Sequence, residues 1–164
     1  MTELQTFSDP RVLRAIELVW HEAALLDEKN YPAWEQLFTD DGYYVIPIDP
    51  DTTDFEESLN MIYDDKRMRS MRVERMMQGY SPSAVAAART IRGVSRFVVD
   101  EVSDTRVVVR SAQILSAYKR EEFYTIGAEL EHTIELNDAG DKIKLKVARM
   151  LNSEHAVNAA GFLI

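Results

Sequence analysis

The 164-residue sequence predicts an α+β protein in which helices pack on one face of a curved, mainly antiparallel sheet. Three observations lead to this prediction. Apolar residues recur every three or four positions before Pro32, the spacing of an amphipathic helix. Alternation with a period of two dominates after Ala88, the spacing of half-buried strands. A turn signal at 138–141 separates the last two alternating segments, as in a hairpin.

The first helix is predicted from Asp9 to about Asp27. Asp9 can cap the free amides, and Pro10 suits the first helical position. An apolar stripe follows, made of Val12, Leu13, Ile16, Val19, Trp20 and Ala23. Leu18 and Leu25 lie off the stripe, so we expect a second contact on the far side of this helix.

Shorter elements are predicted next. A second helix starts at 30–32, carries Ala33, Trp34, Leu37 and Phe38, and is closed by 40–42. A strand over 43–48 contains Pro47, which favours an edge or a bulge, and a second strand covers 59–63. Asp64 and Asp65 then begin a helix that runs to about Met77, with their carboxylates favoured by the helix dipole.

The second half of the chain predicts a loop over 79–88 and then long strands over 90–102 and 106–118. The alternation is clearest over 124–136, where His132 shares the apolar face and three glutamates share the other. In the last strand we expect one face to carry Ile143, Leu145 and Val147 and the opposite face to carry Lys142, Lys144 and Lys146.

Composition limits the function. The net charge is −9, the wrong sign for a protein that mainly neutralises nucleic-acid phosphates. The chain has no cysteine, which excludes disulfides, a thiolate nucleophile and any thiolate-held cluster within it. We find no secretory signal, no apolar run of about 20 residues, no repeat and no linker. We therefore expect one domain over 1–164, in the cytoplasm, without membrane partners.

Two side chains are candidates for acid–base chemistry. Asp27 lies in line with Ile16 and Trp20, so it either ends the helix and accepts bonds from amides near Asn30 or faces a pocket as a base. His132, on an apolar strand face, is either a hydrogen-bonded core residue or an acid–base partner in a cavity.

Other polar residues point to contacts rather than catalysis. His21-Glu22 opens like a zinc-protease helix, but position 25 is Leu25, so the second ligand is missing and we expect no metal site there. His21 falls on the polar helix face, as a solvated or interface histidine would. The basic stretch 66–75 lacks the aromatics of a nucleic-acid surface. Its Arg72 and Arg75 are instead candidates for ion pairs with a partner subunit.

The ordered pieces together resemble a known family. The helix 21–27 is followed by Tyr31, Trp34, Leu37-Phe38 and Asp40-Asp41, then by Tyr44, Pro47 and Tyr63-Asp64-Asp65. Later matches are Arg72-Val73, Arg75, Arg89-Thr90, Val94-Ser95, Leu151-Asn152, Asn158 and Phe162-Leu163-Ile164. This order resembles the cone-shaped NTF2-like domains, and more narrowly the small (beta) subunit of bacterial aromatic-ring-hydroxylating dioxygenases. Arg96 departs from the pattern, since the family commonly has asparagine after the Val-Ser pair.

The resemblance implies a cone-shaped NTF2-like fold and a non-catalytic structural subunit in aromatic compound catabolism. It further implies a large (alpha) subunit as partner, which carries a Rieske [2Fe–2S] cluster and a mononuclear non-haem iron. The small subunits would form a homotrimer within a hexamer of three large and three small chains. The residues agree on one point: a Rieske centre needs two cysteines, and this chain has none.

The alternative is a stand-alone NTF2-like isomerase or dehydratase, or a small-molecule carrier, that uses the cavity of the cone. In the enzyme, Asp27 would act as the base, with Tyr44, Tyr63 or His132 as hydrogen-bonding partners. That hypothesis requires Asp27 and His132 to converge on one open pocket.

Overall fold

The computed structural model describes residues 7–78, 88–152 and 163–164. These residues form three helices and six strands: two helices come before the first strand, and the third lies between the second and third strands. The helices are α1 (Pro10–Asp27), α2 (Tyr31–Glu35) and α3 (Lys66–Gln78). The strands are β1 (Phe38–Pro47), β2 (Asn60–Asp64), β3 (Arg89–Val102), β4 (Arg106–Lys119), β5 (Glu122–Glu135) and β6 (Lys142–Met150).

The six strands form one curved sheet in the order β2-β1-β6-β5-β4-β3. Neighbouring strands run antiparallel except β1 and β6, which are parallel. The predicted α+β class, with helices on a mainly antiparallel sheet, is confirmed. The register aligns Asp64, Tyr44, Lys146 and His132 in a single row across β2, β1, β6 and β5.

Helix α1 begins as predicted, since Asp9 Oδ1 accepts a 2.9 Å hydrogen bond from the amide of Arg11. It packs on β3, β4 and α2. The expected second contact is also present, because Leu25 is buried and Leu18 packs partly buried against the core. Trp20 differs from the prediction: 51% of it is exposed, and its indole N–H donates to the carbonyl of Val94 at 2.8 Å.

Strand β1 starts five residues earlier than predicted. Helix α2 ends at Glu35, and the chain then enters the sheet at Phe38, which pairs with Ile143 of β6. The acidic residues at 40 and 41, predicted to close a helix, lie in the strand instead. The sheet tolerates them because Asp40 binds Lys66 and Asp41 binds Lys144 at the surface. Pro47 lies at a bulge, as predicted.

Asp64 also differs from its predicted place at the start of a helix. It is the last residue of β2 and is buried, whereas Asp65 caps α3 by accepting a 2.9 Å bond from the amide of Met68. Most of the loop predicted over 79–88 lies outside the described residues. Within the described part of the chain, no helix is long and apolar enough to cross a membrane.

A buried arginine fixes α3 to β1. Arg69 is 1% exposed, and its guanidinium donates to the carbonyls of Gly42 and Asp64 while stacking 4.4 Å from the ring centre of Phe38. Gly42 is required at this crossing, because a Cβ there would lie 3.0 Å from two β6 carbonyl oxygens. The basic stretch is therefore partly a core element.

Two β-bulges change which side chains face the helices. At Lys144 an extra residue in β6 shifts the alternation by one, so Leu145 faces away and Lys146 faces the core. The predicted polar face of this strand is therefore wrong at Lys146. In β3 the bulge falls after Ser95, and Arg96 adopts a φ of 55°. Asparagine tolerates this left-handed conformation better than arginine.

The β4–β5 hairpin yields a stability prediction. Its two-residue connection places Arg120 and Glu121 at φ values of 52° and 65°, the requirement of a type I′ turn, for which Asn-Gly is preferred. Replacing both residues (Arg120→Asn with Glu121→Gly) should therefore raise the free energy of unfolding by about 1 kcal/mol.

Urea denaturation of the wild type and the variant measures this change. The control is Glu121→Ala, which keeps a Cβ at the strained position and should leave the free energy of unfolding nearly unchanged. Destabilisation by the Asn-Gly pair would contradict the assignment of this turn.

Candidate functional site

The chemically richest place in the described structure is a buried charge cluster on the inner face of the sheet. Glu22 of α1, His132 of β5 and Lys146 of β6 are each no more than 2% exposed. His132 Nε2 donates to Glu22 Oε2 at 2.7 Å, and Lys146 Nζ donates to Glu22 Oε1. The indole N–H of Trp34 adds a third donor at 3.2 Å. The carboxylate of Glu22 thus links α1 and α2 to the central strands β5 and β6.

The sheet register brings these groups together. His132 lies directly opposite Lys146, and on the other side of β6 Tyr44 lies opposite Lys146. The hydroxyl of Tyr44 donates to the carbonyl of Ile164 at 3.2 Å and accepts from the amide of the same residue. Lys146 Nζ donates to that carbonyl as well, at 2.8 Å. The last residue of the sequence is therefore part of the cluster.

Two opposing effects set the pKa values in the cluster: burial disfavours the charged forms, and pairing of opposite charges favours them. Burial alone would raise the pKa of Glu22, but Lys146 and His132 outweigh it and hold the pKa of this carboxyl well below its usual range. Burial lowers the pKa of Lys146, and the attraction of Glu22 offsets only part of that effect. Burial also raises the pKa of the Tyr44 hydroxyl, so this group stays a neutral hydrogen-bonding phenol.

Asp27 belongs to a second network. It ends α1, as predicted, but it accepts bonds from the Thr90 hydroxyl at 2.8 Å and from the Arg92 amide at 2.9 Å rather than from amides near Asn30. The guanidinium of Arg92 also binds Asp27, and it donates as well to the carbonyl of Leu163. This carboxylate is thus engaged by three donors on β3.

The structure places the acid–base candidates in adjacent networks. Tyr44 and His132 both contact the Lys146 cluster, whereas Asp27 is held by Arg92. No hydrogen bond among the described residues joins Asp27 to Tyr44 or His132. The assignment of these three residues to a catalytic site stays a prediction.

Of the three interface candidates, two are exposed and one is partly buried. His21 is exposed on α1. Arg72 binds the buried Asp64 of its own chain through two hydrogen bonds of 2.6 and 3.1 Å, so part of its charge serves the fold. Arg75 is exposed, and it makes no ion pair with any residue that the structure describes. Their contacts with a partner also stay predictions.

A groove of about 710 Å³ runs between β1 and α3. Its lining mixes acids, bases and apolar side chains: Asp40, Asp41, Tyr43, Asp65, Lys66, Arg67, Ser70, Met71 and Glu74. Across the residues that are described, no three His, Cys, Asp or Glu side chains are grouped so that they could hold a metal ion.

Sequence reasoning missed the two central members of the cluster. Glu22 could have been found, because it continues the spacing of Ala15, Val19 and Leu26 on the buried helix face. Lys146 had no such signal, since the bulge that turns it inward is set by pairing with β5. Arg92, on the inner face of β3, was also missed, although Thr90 and Val94 flank it at a spacing of two residues.

The cluster predicts strong coupling between Glu22 and Lys146. Each single change, Glu22→Gln or Lys146→Met, should lower the free energy of unfolding by about 3–5 kcal/mol, because one buried charge loses its partner. The double variant should lose at least 1 kcal/mol less than the sum, since no unpaired charge is left.

Urea denaturation of the four proteins measures the coupling. The exposed pair Arg110–Asp100 is the matched control, and the cycle of Arg110→Met with Asp100→Asn should give a coupling of less than about 1 kcal/mol. Additive losses at Glu22 and Lys146 would show that the two charges are not paired in solution.

Comparison with known proteins gives matches of three kinds. Residues 21–155 match the family described as ring hydroxylating beta subunit. A curated relative, the small oxygenase component of the p-cumate 2,3-dioxygenase system of Pseudomonas putida, is 33% identical over 98 residues. That match covers 58% of this chain and 54% of the relative, so it spans about half the length of each.

Solved structures match over more of the chain. The beta subunit of benzoate 1,2-dioxygenase from Burkholderia mallei superposes with a TM-score of 0.75 at 18% identity, covering 94% of this chain and 96% of that one. A chain of naphthalene 1,2-dioxygenase, solved with indole in the active site, also gives a TM-score of 0.75, at 16% identity over 96% and 89%. At these identities the superpositions establish the fold. With the family match over residues 21–155, the chain belongs to the ring-hydroxylating dioxygenase beta subunit family.

Proposed function

We propose that this chain is the small, non-catalytic subunit of an aromatic-ring-hydroxylating dioxygenase, and that it works in the cytoplasm as the scaffold for a larger, iron-bearing chain. The family match over residues 21–155 carries the proposal. The small oxygenase component from Pseudomonas putida, which matches over 98 residues, supports it. The hydrogen-bonded carboxylates support a non-catalytic role. Glu22 and Asp27 each accept hydrogen bonds from three donors within the chain, so neither is free to act as a base.

The redox groups are assigned to the partner. A Rieske [2Fe–2S] cluster needs two cysteine and two histidine ligands, and this sequence contains no cysteine. The cluster and the mononuclear non-haem iron would therefore lie in the large subunit. The role left for the small chain is to hold large subunits in position.

Helix α3 offers a surface for that partner. Met68, Met71 and Arg75 follow the spacing i, i+3 and i+7, so they share one side of the helix, and both methionines are nearly half exposed. Methionine and arginine are enriched in protein interfaces. This side borders the groove lined by Tyr43 and Met71. We assign the α3 surface to contact with a partner subunit and include His21 as a further candidate.

Self-association needs surfaces of its own. The outer face of β3, β4 and β5 carries a second exposed apolar patch, formed by Ile91, Ile114, Tyr118 and Phe123. A ring of three identical subunits uses two different surface patches on each copy. The outer-face patch is separate from the α3 surface, so it is available as one of these two patches. It supports a homotrimer within a complex of three small and three large subunits.

Co-expression with a Rieske-type large subunit tests the proposal. The complex should elute as one species in size exclusion with light scattering, at a mass of three large and three small chains. Arg75→Ala should weaken assembly at least tenfold, because a carboxylate of the partner loses its charge partner. Isolated small subunit should show no ring-hydroxylating turnover.

The control is Arg106→Ala, which removes one positive charge from an exposed residue at the start of β4 and should leave assembly unchanged. Urea denaturation of each variant separates loss of assembly from loss of folding. A strictly monomeric small chain that binds no Rieske-type large subunit would refute the proposed function. Unchanged assembly of Arg75→Ala would refute only the assignment of the α3 surface.

A further inference from the structure

The inner face of the sheet is unusually polar for a protein core. Seven buried side chains with polar groups lie along it without a break: Thr90, Arg92, Gln113, Ser111, His132, Lys146 and Tyr44. The register makes them neighbours, since His132 is opposite Lys146 and diagonal to Ser111. Gln113 follows Ser111 on the same face of β4, and it is diagonal to Arg92 of β3. An inner face of this kind can recognise polar groups.

Four of these side chains keep a buried polar atom that no described residue binds. These atoms are Arg92 Nε, Gln113 Nε2, Ser111 Oγ and His132 Nδ1. All four residues are at least nine-tenths buried. An unpaired buried polar group costs about 1–3 kcal/mol, so four such groups side by side indicate a place for a polar occupant rather than a packed wall.

An occupant is already present beside them. Leu163 and Ile164, here called the 163–164 dipeptide, are 4% and 6% exposed. Arg92 donates to the carbonyl of Leu163, and Lys146 and Tyr44 donate to the carbonyl of Ile164. Arg92 and Tyr44 lie on β3 and β1, four strand spacings or roughly 19 Å apart along a flat sheet. The dipeptide therefore bridges opposite walls of the curved sheet.

We propose that the interior of the sheet is a binding site for a small ligand with carbonyl oxygens and an apolar body, and that the 163–164 dipeptide occupies this site as an intramolecular ligand. Three donors bind two oxygen atoms of the dipeptide: Arg92 donates to the carbonyl of Leu163, and Lys146 and Tyr44 donate to the carbonyl of Ile164. The buried side chains of Leu163 and Ile164 mark the space for an apolar body. The site uses none of the residues assigned above to contact with a partner subunit.

Removal of the dipeptide tests this inference. The variant that lacks residues 163 and 164 should bind N-acetyl-leucyl-isoleucine, which raises its midpoint of thermal unfolding as the probe concentration increases. The full chain should bind the probe at least tenfold more weakly, since its own dipeptide competes at an effective concentration in the millimolar range.

Two further variants locate the site. In the shortened chain, Tyr44→Phe removes a donor and should weaken binding of the probe about tenfold. Tyr124→Phe, at an exposed tyrosine near the start of β5, should leave binding unchanged. Equal binding of the probe by the shortened and full chains, or no binding by a folded shortened chain, would overturn the inference.

If the shortened chain does not fold, the full chain with Leu163→Ala and Ile164→Ala decides the question. This variant keeps the backbone of the occupant and loses most of its apolar body, so the probe should displace it more readily than in the wild type. Binding no tighter than that of the wild type would overturn the inference.

Discussion

The structure depends on one ionised carboxylate in its core. Glu22 accepts hydrogen bonds from Trp34, His132 and Lys146, and so joins α1 to α2, β5 and β6. Through Lys146 and Tyr44 the same cluster reaches Ile164 and β1. A buried charge is costly unless it is paired, so these elements must assemble in one arrangement for the charges to be satisfied. The apolar core supplies the driving force, and the cluster fixes which elements meet.

Much of the fold follows from local sequence. Helix α1 is predictable because Asp9 caps it and apolar residues recur along one face, and β5 is predictable because its alternation is uninterrupted. The errors occur where tertiary pairing decides. The start of β1 depends on Phe38 pairing with Ile143, and the orientation of Lys146 depends on a bulge at Lys144. Neither pairing leaves a mark in the local sequence.

The site was predictable only in part. His132 was correctly placed on the buried face, and a role as a hydrogen-bonded core residue was one of the two interpretations. Its partner Glu22 lies on the buried face of α1, but the sequence of the helix does not indicate which strands would bind a glutamate there. For Asp27 the sequence offers two hypotheses, a bond to a nearby amide or a place in a pocket. In the structure it binds Thr90 and Arg92 of β3, which lie 63 and 65 residues later in the chain. Long-range pairs of this kind need the fold first.

The buried charges also link stability to pH. Burial alone would raise the pKa of Glu22, but Lys146 and His132 lower it by more, so the net shift is downward. A carboxyl whose folded-state pKa lies below its unfolded value contributes stability above the unfolded value and loses it as the pH falls toward the folded value. The most direct measurement is the ¹³C chemical shift of the Glu22 side-chain carboxyl from pH 6 to pH 3. We expect it to stay at the ionised position down to and below about pH 4.3, the pKa of an unperturbed glutamate, for as long as the protein is folded. Protonation of Glu22 in the folded protein at or above that pH would contradict a core organised around its charge.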